Sequence, residues 1–541
     1  MRTPAGVAAA DFSAALTQFE AALGKEWVFT SDEDVDLYRD AYSPFWGEPE
    51  ERKAAAALAP ENVDQVQKIV RIANHYRIPL YPISTGRNLG YGGSAPCASG
   101  NVVLDLKRMN RVLEVNENNA YALVEPGVSY FDLYRHIEER GLKVWLDVPD
   151  PGWGSPMGNS LDRGGGYTTH QFRNHFDAHC GMEVVLANGE LLRTGMGAMP
   201  GSKAWQQYKT GFGPAIDGIF SQSNFGIVTK MGFWLMPQPD AYYTGSVLVP
   251  RHNDLIALVE VLNFLENSRV CNGMSDLSSP AMGLPAPYDA PPAAPELIAL
   301  INKAIDGKTD DLDAYAAGKG RAAWSATLKF YGPAKAIVAQ WEYAKEKFSA
   351  IPGAKFADGE LIKLPLTAEQ KEQVHKVEFG IPSLTIFSMG ARNANNPTPG
   401  DGHQWFSPII PRNGAAVFEA NRIFAAAGRD FGLPVPPFSI PFCFWERSFL
   451  FLFGFPVTHD VEKNKATRAA FRHLVEIAAE HGFGEYRTAP AYQDLIMSTY
   501  SFNNHALLRF HETLKDAVDP NGILSPGRYG IWPKNLRGAR K

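Results

Sequence analysis

The stretch AAALAPENVDQVQKIVRIANHYRIPLYPISTGRNLGYGG, residues 55–93, decides the fold. AAALAP (55–60) reads as a short apolar strand. NVDQVQKIVRIANHYR (62–77) sets Val63, Val66, Ile69, Val70, Ile72 and Ala73 at helical spacing, and IPLYPIS (78–84) reads as a second strand. A strand, a helix and a strand in succession make a β-α-β unit, which builds parallel pairs and carries a ligand at the strand end. The second strand runs into STGRNLGYGG (84–93). Glycines 86, 90, 92 and 93 let a backbone approach a ligand closely and turn N–H groups toward an anion such as a dinucleotide pyrophosphate; a tight turn reads equally well. The spacing is not G-x-G-x-x-G, so a Rossmann site is not supported. Gly195, Gly197 and Gly201 miss it too, with Pro200 where a helix should run.

Downstream, GWGSPMGNSLDRGGGY (152–167) is a second glycine cluster. Two such clusters in one half of a chain suggest a long, extended ligand lying over backbone. FAD fits that description, and plain turns remain the alternative. MEVVLANGELLRTG (182–195) places Asn188-Gly189 between two apolar runs, a hairpin signal. SQSNFGIVTKMGFWLM (221–236) reads as a turn and a strand, closed by Pro237 and Pro239. After Asp240 the composition shifts toward charge and helical patterns, as in HNDLIALVEVLNFLENS (252–268) and PAKAIVAQWEYAKEKFSAI (333–351). Further helices are predicted at 414–430, at 461–481 and over the C-terminal LLRFHETLKDAV.

The totals bound the rest. A chain of 541 residues predicts two or three domains, and 45% hydrophobic with 20% charged residues is ordinary for globular protein. A net charge of -6 without a basic stripe speaks against nucleic acid as a partner. Cys97, Cys180, Cys271 and Cys443 lie far apart, which argues against a zinc cluster, a c-type haem site and a disulfide scaffold, and for buried free thiols. No apolar run approaches a membrane span: Phe442–Val457 is broken by Glu446, Arg447, Gly454 and Pro456. The N-terminus is a poor signal peptide and reads as an amphipathic helix, so a cytoplasmic location is expected. No G-x-S-x-G, H-E-x-x-H or P-loop occurs, and His170, His175 and His179 lack the companions of a known metal site.

Several long runs resemble the vanillyl-alcohol oxidase and 4-cresol dehydrogenase family of FAD-dependent 4-phenol oxidoreductases. They are PISTGRNLGYGGSAP (82–96), NRVLEVN (110–116), YALVEPGVSYFDL (121–133), WLDVPDPGWGS (145–155), GMEVVLANGELLRTGMGA (181–198), GPAIDGIFSQSNFGIVTKMGFWLMPQP (213–239), GEYRT (484–488) and AVDPNGILSPGRYGIWP (517–533). The resemblance spans the chain and thins between about 245 and 400. It implies an α+β protein: a PCMH-type FAD-binding domain from residues 1–240 and 500–541, with an α+β cap inserted at 241–499.

The resemblance also implies site residues. GDGHQWFSP (400–408) is similar to the segment whose histidine bonds the flavin 8α carbon, which makes His403 the attachment point. Relatives that pair with a cytochrome use an upstream tyrosine instead, and no Tyr occurs between Ile381 and His403. Tyr91, Tyr486 and Arg487 match the residues that bind the phenol oxygen as phenolate. Two hydroxyl donors and a guanidinium favour the anion. A phenolate pushes electrons toward the para carbon, so hydride leaves for flavin N5 and a p-quinone methide results. Asp150 matches the carboxylate beside the reacting carbon, a base toward water or a substrate proton. Tyr167 matches a further active-site tyrosine. Around the cofactor the resemblance places Ser84, Thr85, Gly86, Arg87, Asn88, Gly90, Gly92, Pro149, Gly158, Asn159, Gly226, Ile227, Val228 and Arg528. The implied partners are a small phenol and O2, with a cytochrome c as the alternative acceptor and a homodimer or higher homo-oligomer as the assembly.

Two segments depart from the family. GYTTHQFRNH (166–175) is two residues longer than the usual GYTPYGDH, which predicts a different cavity near Tyr167. FCFWERSFLF (442–451) replaces an R-E-M-H-H-like segment. There Phe442, Phe444, Trp445 and Phe449 predict a more apolar pocket, and Arg447 a substitute charge.

Overall fold

The computed structural model describes residues 2–539 apart from 89, 281–294, 306, 386–401 and 431–446. The opening β-α-β unit forms as Ala56–Leu58, Val63–Tyr76 and Leu80–Ile83. The helix starts where the Asn62 side chain accepts from Gln65 N at 3.0 Å, and it stops at Arg77, which turns left-handed at φ 57°. Val66, Ile69, Val70 and Ala73 form its buried face. The two strands are not neighbours, however. Val102–Asp105 lies between them and pairs in parallel with both, Ala56 and Leu80 each sitting opposite Val102. Val28–Phe29 closes the far edge antiparallel. The N-terminal helix Ala9–Leu23 packs on Val63–Tyr76 through Phe12, Ala15, Leu16, Phe19 and Leu23, spaced three and four apart.

A second sheet is antiparallel, in the order Val112–Asn116, Tyr121–Val124, Ile227–Trp234, His179–Val185, Leu191–Arg193. Its last pair is the expected hairpin, with Gly189 at φ 81°, a value that favours glycine. The C-terminal segment returns to the first sheet: Leu80 N donates to Ile523 O and Ser525 N to Leu80 O.

The third sheet runs Asp276–Ser278, Trp324–Gly332, Ala241–Val249, Lys355–Lys363, all antiparallel. Leu255–Asn267 and Ala334–Phe348 are helices over it, as their apolar periodicity predicts. The core here is drawn from residues between Ala241 and Ile496, with Trp324 and Trp341 fully buried. Other cores are built from residues 12–109, 185, 187, 227, 523 and 524, and from residues 122–235 with 377 and 531. Helices Gly414–Asp430 and Val461–Glu480 form where expected. Among the described residues no helix is long and apolar enough to cross a membrane. Cys97, Cys180 and Cys271 are buried free thiols, and Cys443 lies outside the described residues.

Candidate active site

The site is a cavity of about 290 Å³ walled by loops of the first two sheets together with the strand Gly402–Phe406 and the C-terminal segment. Its walls come from the glycine-rich loop after Leu80–Ile83, the Pro149–Asp162 stretch, the approach to Ile227–Trp234, the strand Gly402–Phe406 and the C-terminal Arg528–Tyr529. Ser84, Thr85, Gly86, Arg87, Asn88, Gly92, Pro149, Gly158, Asn159, Gly226, Ile227, Val228 and Arg528 all line it, together with Tyr91, Asp150, Tyr167, His403, Tyr486 and Arg487. Gly90 is the exception. It stands behind the wall at φ 76°, where a Cβ would come within 2.5 Å of the Trp405 ring and 3.0 Å of His403. Its need for glycine is therefore room for those two rings.

Tyr91, Tyr486 and Arg487 form one cluster. The Tyr91 and Tyr486 rings meet edge to face at 6.2 Å, and the Arg487 guanidinium lies 3.8 Å from the Tyr91 ring centre. Burial and the neighbouring Tyr486 phenol push the Tyr91 hydroxyl well above its ordinary value, although Arg487 pulls it down. Tyr91 is therefore a neutral O–H donor at neutral pH. Its oxygen lies 2.9 Å from Ser407 Oγ. Burial opposes the Arg487 charge, yet the Tyr486 and Tyr91 phenols and Asp162 hold its pKa above the usual range. Arg487 Nε is buried without a hydrogen-bond partner among the described residues, which fits an acceptor arriving in the cavity.

The backbone fixes this cluster. Gly484–Tyr486 runs beside Ser407–Ile409: Ile409 N donates to Gly484 O, Tyr486 N to Ser407 O, and Ser407 N to the Glu485 carboxyl. Gln222 Nε2 holds Tyr486 O at 2.8 Å. His403 sits on Gly402–Phe406, paired with Phe453–Val457, its ring 4.2 Å from Trp405 and 5.5 Å from Tyr42.

Asp162 is a residue that sequence reasoning passed over. It receives Arg528 at 2.7 Å, Tyr529 Oη at 2.8 Å and Asn88 Nδ2 at 2.6 Å. Burial alone would raise its carboxyl; Arg528, Arg487 and Tyr529 outweigh that and hold it below the usual range. Asp162 thereby ties the glycine-rich loop to the C-terminal segment. No local pattern signals this, because its partners come from both ends of the chain.

The two departing segments resolve differently. Of FCFWERSFLF, Phe442, Phe444 and Trp445 lie outside the described residues. Phe449 is fully buried in the core drawn from residues between Ala241 and Ile496 rather than in the cavity, whose wall there is Leu450 and Leu452. Neighbours on the strand Ser448–Leu450 face opposite ways, so Phe449 and Leu450 cannot share the pocket. Arg447 is exposed and supplies no charge to the site. The longer segment after Tyr167 is a seam. His170 Nε2 lies 2.9 Å from Cys271 O, His170 N donates to Asn272 O, and Arg173 pairs with Glu266. His175 meets Asp147 at 2.7 Å and His179 meets Asp217 at 3.2 Å, so the three histidines serve separate partners.

A cradle of buried backbone turned on glycine, edged by guanidinium groups and reaching a buried histidine, fits a flavin dinucleotide. The fold and cavity define a flavin-dependent oxidoreductase of PCMH type. Residues 54–195 match the FAD binding domain family. The chain is 33% identical to the 4-cresol dehydrogenase [hydroxylating] flavoprotein subunit of Pseudomonas putida, over 98% of this chain and 97% of that one. Among solved structures it resembles a 4-ethylphenol oxidase from Gulosibacter chungangensis (TM-score 0.81, 35% identity, 99% of this chain and 100% of that one). It also resembles p-cresol methylhydroxylase (TM-score 0.80, 30% identity, 98% and 99%). The chain belongs to the vanillyl-alcohol oxidase and 4-cresol dehydrogenase family of FAD-dependent oxidoreductases.

Proposed function

We propose that this protein oxidises para-substituted phenols, 4-alkylphenols and 4-hydroxybenzylic alcohols, and passes the electrons to O2. The observation that carries this reading is the convergence of Tyr91, Tyr486 and Arg487 on the cavity that also holds Asp150 and His403. Bound FAD would supply the hydride acceptor at N5. A phenol oxygen arriving beside Tyr91 and Tyr486 meets hydroxyl donors and the Arg487 cation, so its anion is favoured. Once Tyr91 donates to that oxygen, Ser407 must donate to Tyr91. The phenolate drives electron density to the para carbon, and loss of hydride from the side-chain carbon bonded to it leaves a p-quinone methide. Asp150 on the same cavity takes the proton of the water that adds to it, or a proton of the substrate side chain.

His403 is the proposed covalent link through the 8α position, supported by its place in the cavity wall against Trp405. His403→Ala is expected to bind FAD that leaves with the supernatant on acid precipitation, and to turn over more slowly. Acid-stable flavin in that variant refutes the assignment. The reading takes residues 1–240 and 500–541 as the flavin-binding body and 241–499 as the cap, supported by the separate cores and by the pairing of Leu80 with Ile523 and Ser525. It further takes the protein as a cytoplasmic homodimer, on the family resemblance and the buried free thiols.

A cytochrome c acceptor is the second reading, favoured by the description of the Pseudomonas putida relative as a flavoprotein subunit. Anaerobic mixing with a 4-alkylphenol tests the substrate class: the flavin absorbance should bleach, and a panel of such phenols that leaves it unchanged refutes the reading. Admission of air then separates the acceptors, since stoichiometric peroxide supports O2 and a persistently reduced flavin supports the cytochrome. The para-hydroxyl itself is required. The 4-methoxy analogue has no ionisable proton, so it should neither bleach the flavin nor turn over, and equal turnover would remove the phenolate from the mechanism.

A further inference from the structure

Asp150 lies half-buried between Pro149 and Pro151 on the cavity wall, and a base there must dispose of each proton it takes. The strap Ile381–Thr385, contributed by the cap, runs against that loop: Gly152 N donates to Ser383 O at 2.7 Å, and Pro382 packs against Gly152. Ser383 Oγ lies 3.1 Å from Asp150 Oδ2 and 2.9 Å from Thr385 Oγ1. Thr385 N also donates to Ser383 Oγ at 3.2 Å. Ser383 is buried, whereas Leu384 and Thr385 are exposed. Two hydroxyls in series therefore connect the carboxylate in the cavity with the surface.

The proton order in this chain is fixed by chemistry. An ionised Asp150 only accepts, so Ser383 must give it its single O–H. Ser383 Oγ is then an acceptor for Thr385, and the hydroxyls point inward from Thr385 to Ser383 to Asp150. The geometry points to Ser383 and Thr385 as a proton relay that carries the proton taken up by Asp150 out to solvent. The inference rests on the reading of Asp150 as a base. As water adds to the quinone methide, its oxygen bonds to the para side-chain carbon, one water O–H breaks, and that proton goes to Asp150. Protonated Asp150 can donate, so the Ser383 and Thr385 hydroxyls first turn outward; the Asp150 proton then passes to Ser383 Oγ, the Ser383 proton to Thr385 Oγ1, and the Thr385 proton to a surface water. One proton leaves, and both hydroxyls are left pointing inward, which is the starting order. No electron moves in this sequence.

The test uses the holoenzyme with Ser383→Ala, Ser383→Thr and Thr385→Val, each measured for melting temperature, anaerobic flavin reduction by a 4-alkylphenol, and steady-state turnover in H2O and D2O. Ser383→Ala should leave the melt and the reduction rate near wild type. Its turnover should fall about 10-fold, less than the 10²–10⁴-fold that loss of a general base costs, with a larger solvent isotope effect than wild type. Ser383→Thr, which keeps the hydroxyl, should restore turnover, and Thr385→Val should slow it in the same sense. Wild-type turnover and isotope effect in Ser383→Ala would overturn the relay. So would an equal fall in reduction and turnover that Ser383→Thr does not rescue, since that is the signature of a residue that only supports the loop. If the wild-type flavin is not reduced by any 4-alkylphenol, the substrate reading has failed, a result distinct from both.

Discussion

Asp150→Asn is expected to leave phenol binding intact and to slow turnover by about 10²–10⁴-fold, the usual cost of removing a positioned general base. The amide has nearly the shape of the carboxylate and still accepts the Ser383 hydroxyl through its oxygen, so the loop has no steric reason to move. What it loses is the capacity to take a proton. Binding should survive because, on the proposed function, the phenol oxygen is assigned to a separate cluster, Tyr91, Tyr486 and Arg487. The competing explanation is that Asp150, between Pro149 and Pro151 and beside Gly152, only shapes a turn. Two measurements on the same preparation separate them. An unchanged melt with slow turnover assigns chemistry to the carboxylate. A lowered melt with near-normal turnover per intact flavin assigns scaffold.

Local features of this chain were readable from its sequence to the extent that their causes are local. Val63–Tyr76 announces itself because its apolar residues recur at helical spacing and Asn62 caps its first turn. The strand order does not, because the strand that separates Ala56–Leu58 from Leu80–Ile83 comes later in the chain, at Val102–Asp105, and nothing in residues 55–84 encodes that insertion. In the site, Tyr91, Asp150, Tyr486 and Arg487 were reachable because each stands in a contiguous run similar to a known family, and the fold brings those runs to one cavity. Asp162 and Ser383 were not. Asp162 faces Arg528 from 366 positions away and Ser383 faces Asp150 from 233, separations at which only the fold reveals a partner. Phe449 was misassigned for a related reason: a strand residue's face depends on register, which an apolar run without alternation does not fix.

The longer segment after Tyr167 carries the second large effect. Arg173 and Arg412 both point at Glu266, with Nη2 of Arg173 at 3.3 Å and Nη1 of Arg412 at 2.7 Å, and all three side chains are at most 2% exposed. Burial alone would raise the Glu266 carboxyl, but Arg412 and then Arg173 outweigh it and bring it down to about 2. Arg173 follows the Tyr167 wall of the cavity, whereas Glu266 belongs to the helix Leu255–Asn267 under the third sheet, so the triad stitches two cores together. Glu266→Gln would leave two buried guanidinium groups facing a neutral amide, at an expected cost of about 3–5 kcal/mol near neutral pH. The pH dependence has a definite sign. A carboxyl whose folded value lies below its unfolded value stabilises the fold above the unfolded value, about 4.3, and that contribution drains away as pH falls toward about 2. The gap in melting temperature between wild type and Glu266→Gln should therefore be constant from neutral pH down to about pH 5 and close progressively below it. Replacing all three residues by apolar ones of similar volume should cost less than the single change, because no charge is then left buried without a partner. A gap that widens on acidification, or a triple variant less stable than Glu266→Gln, would show that the triad does not hold the seam by charge.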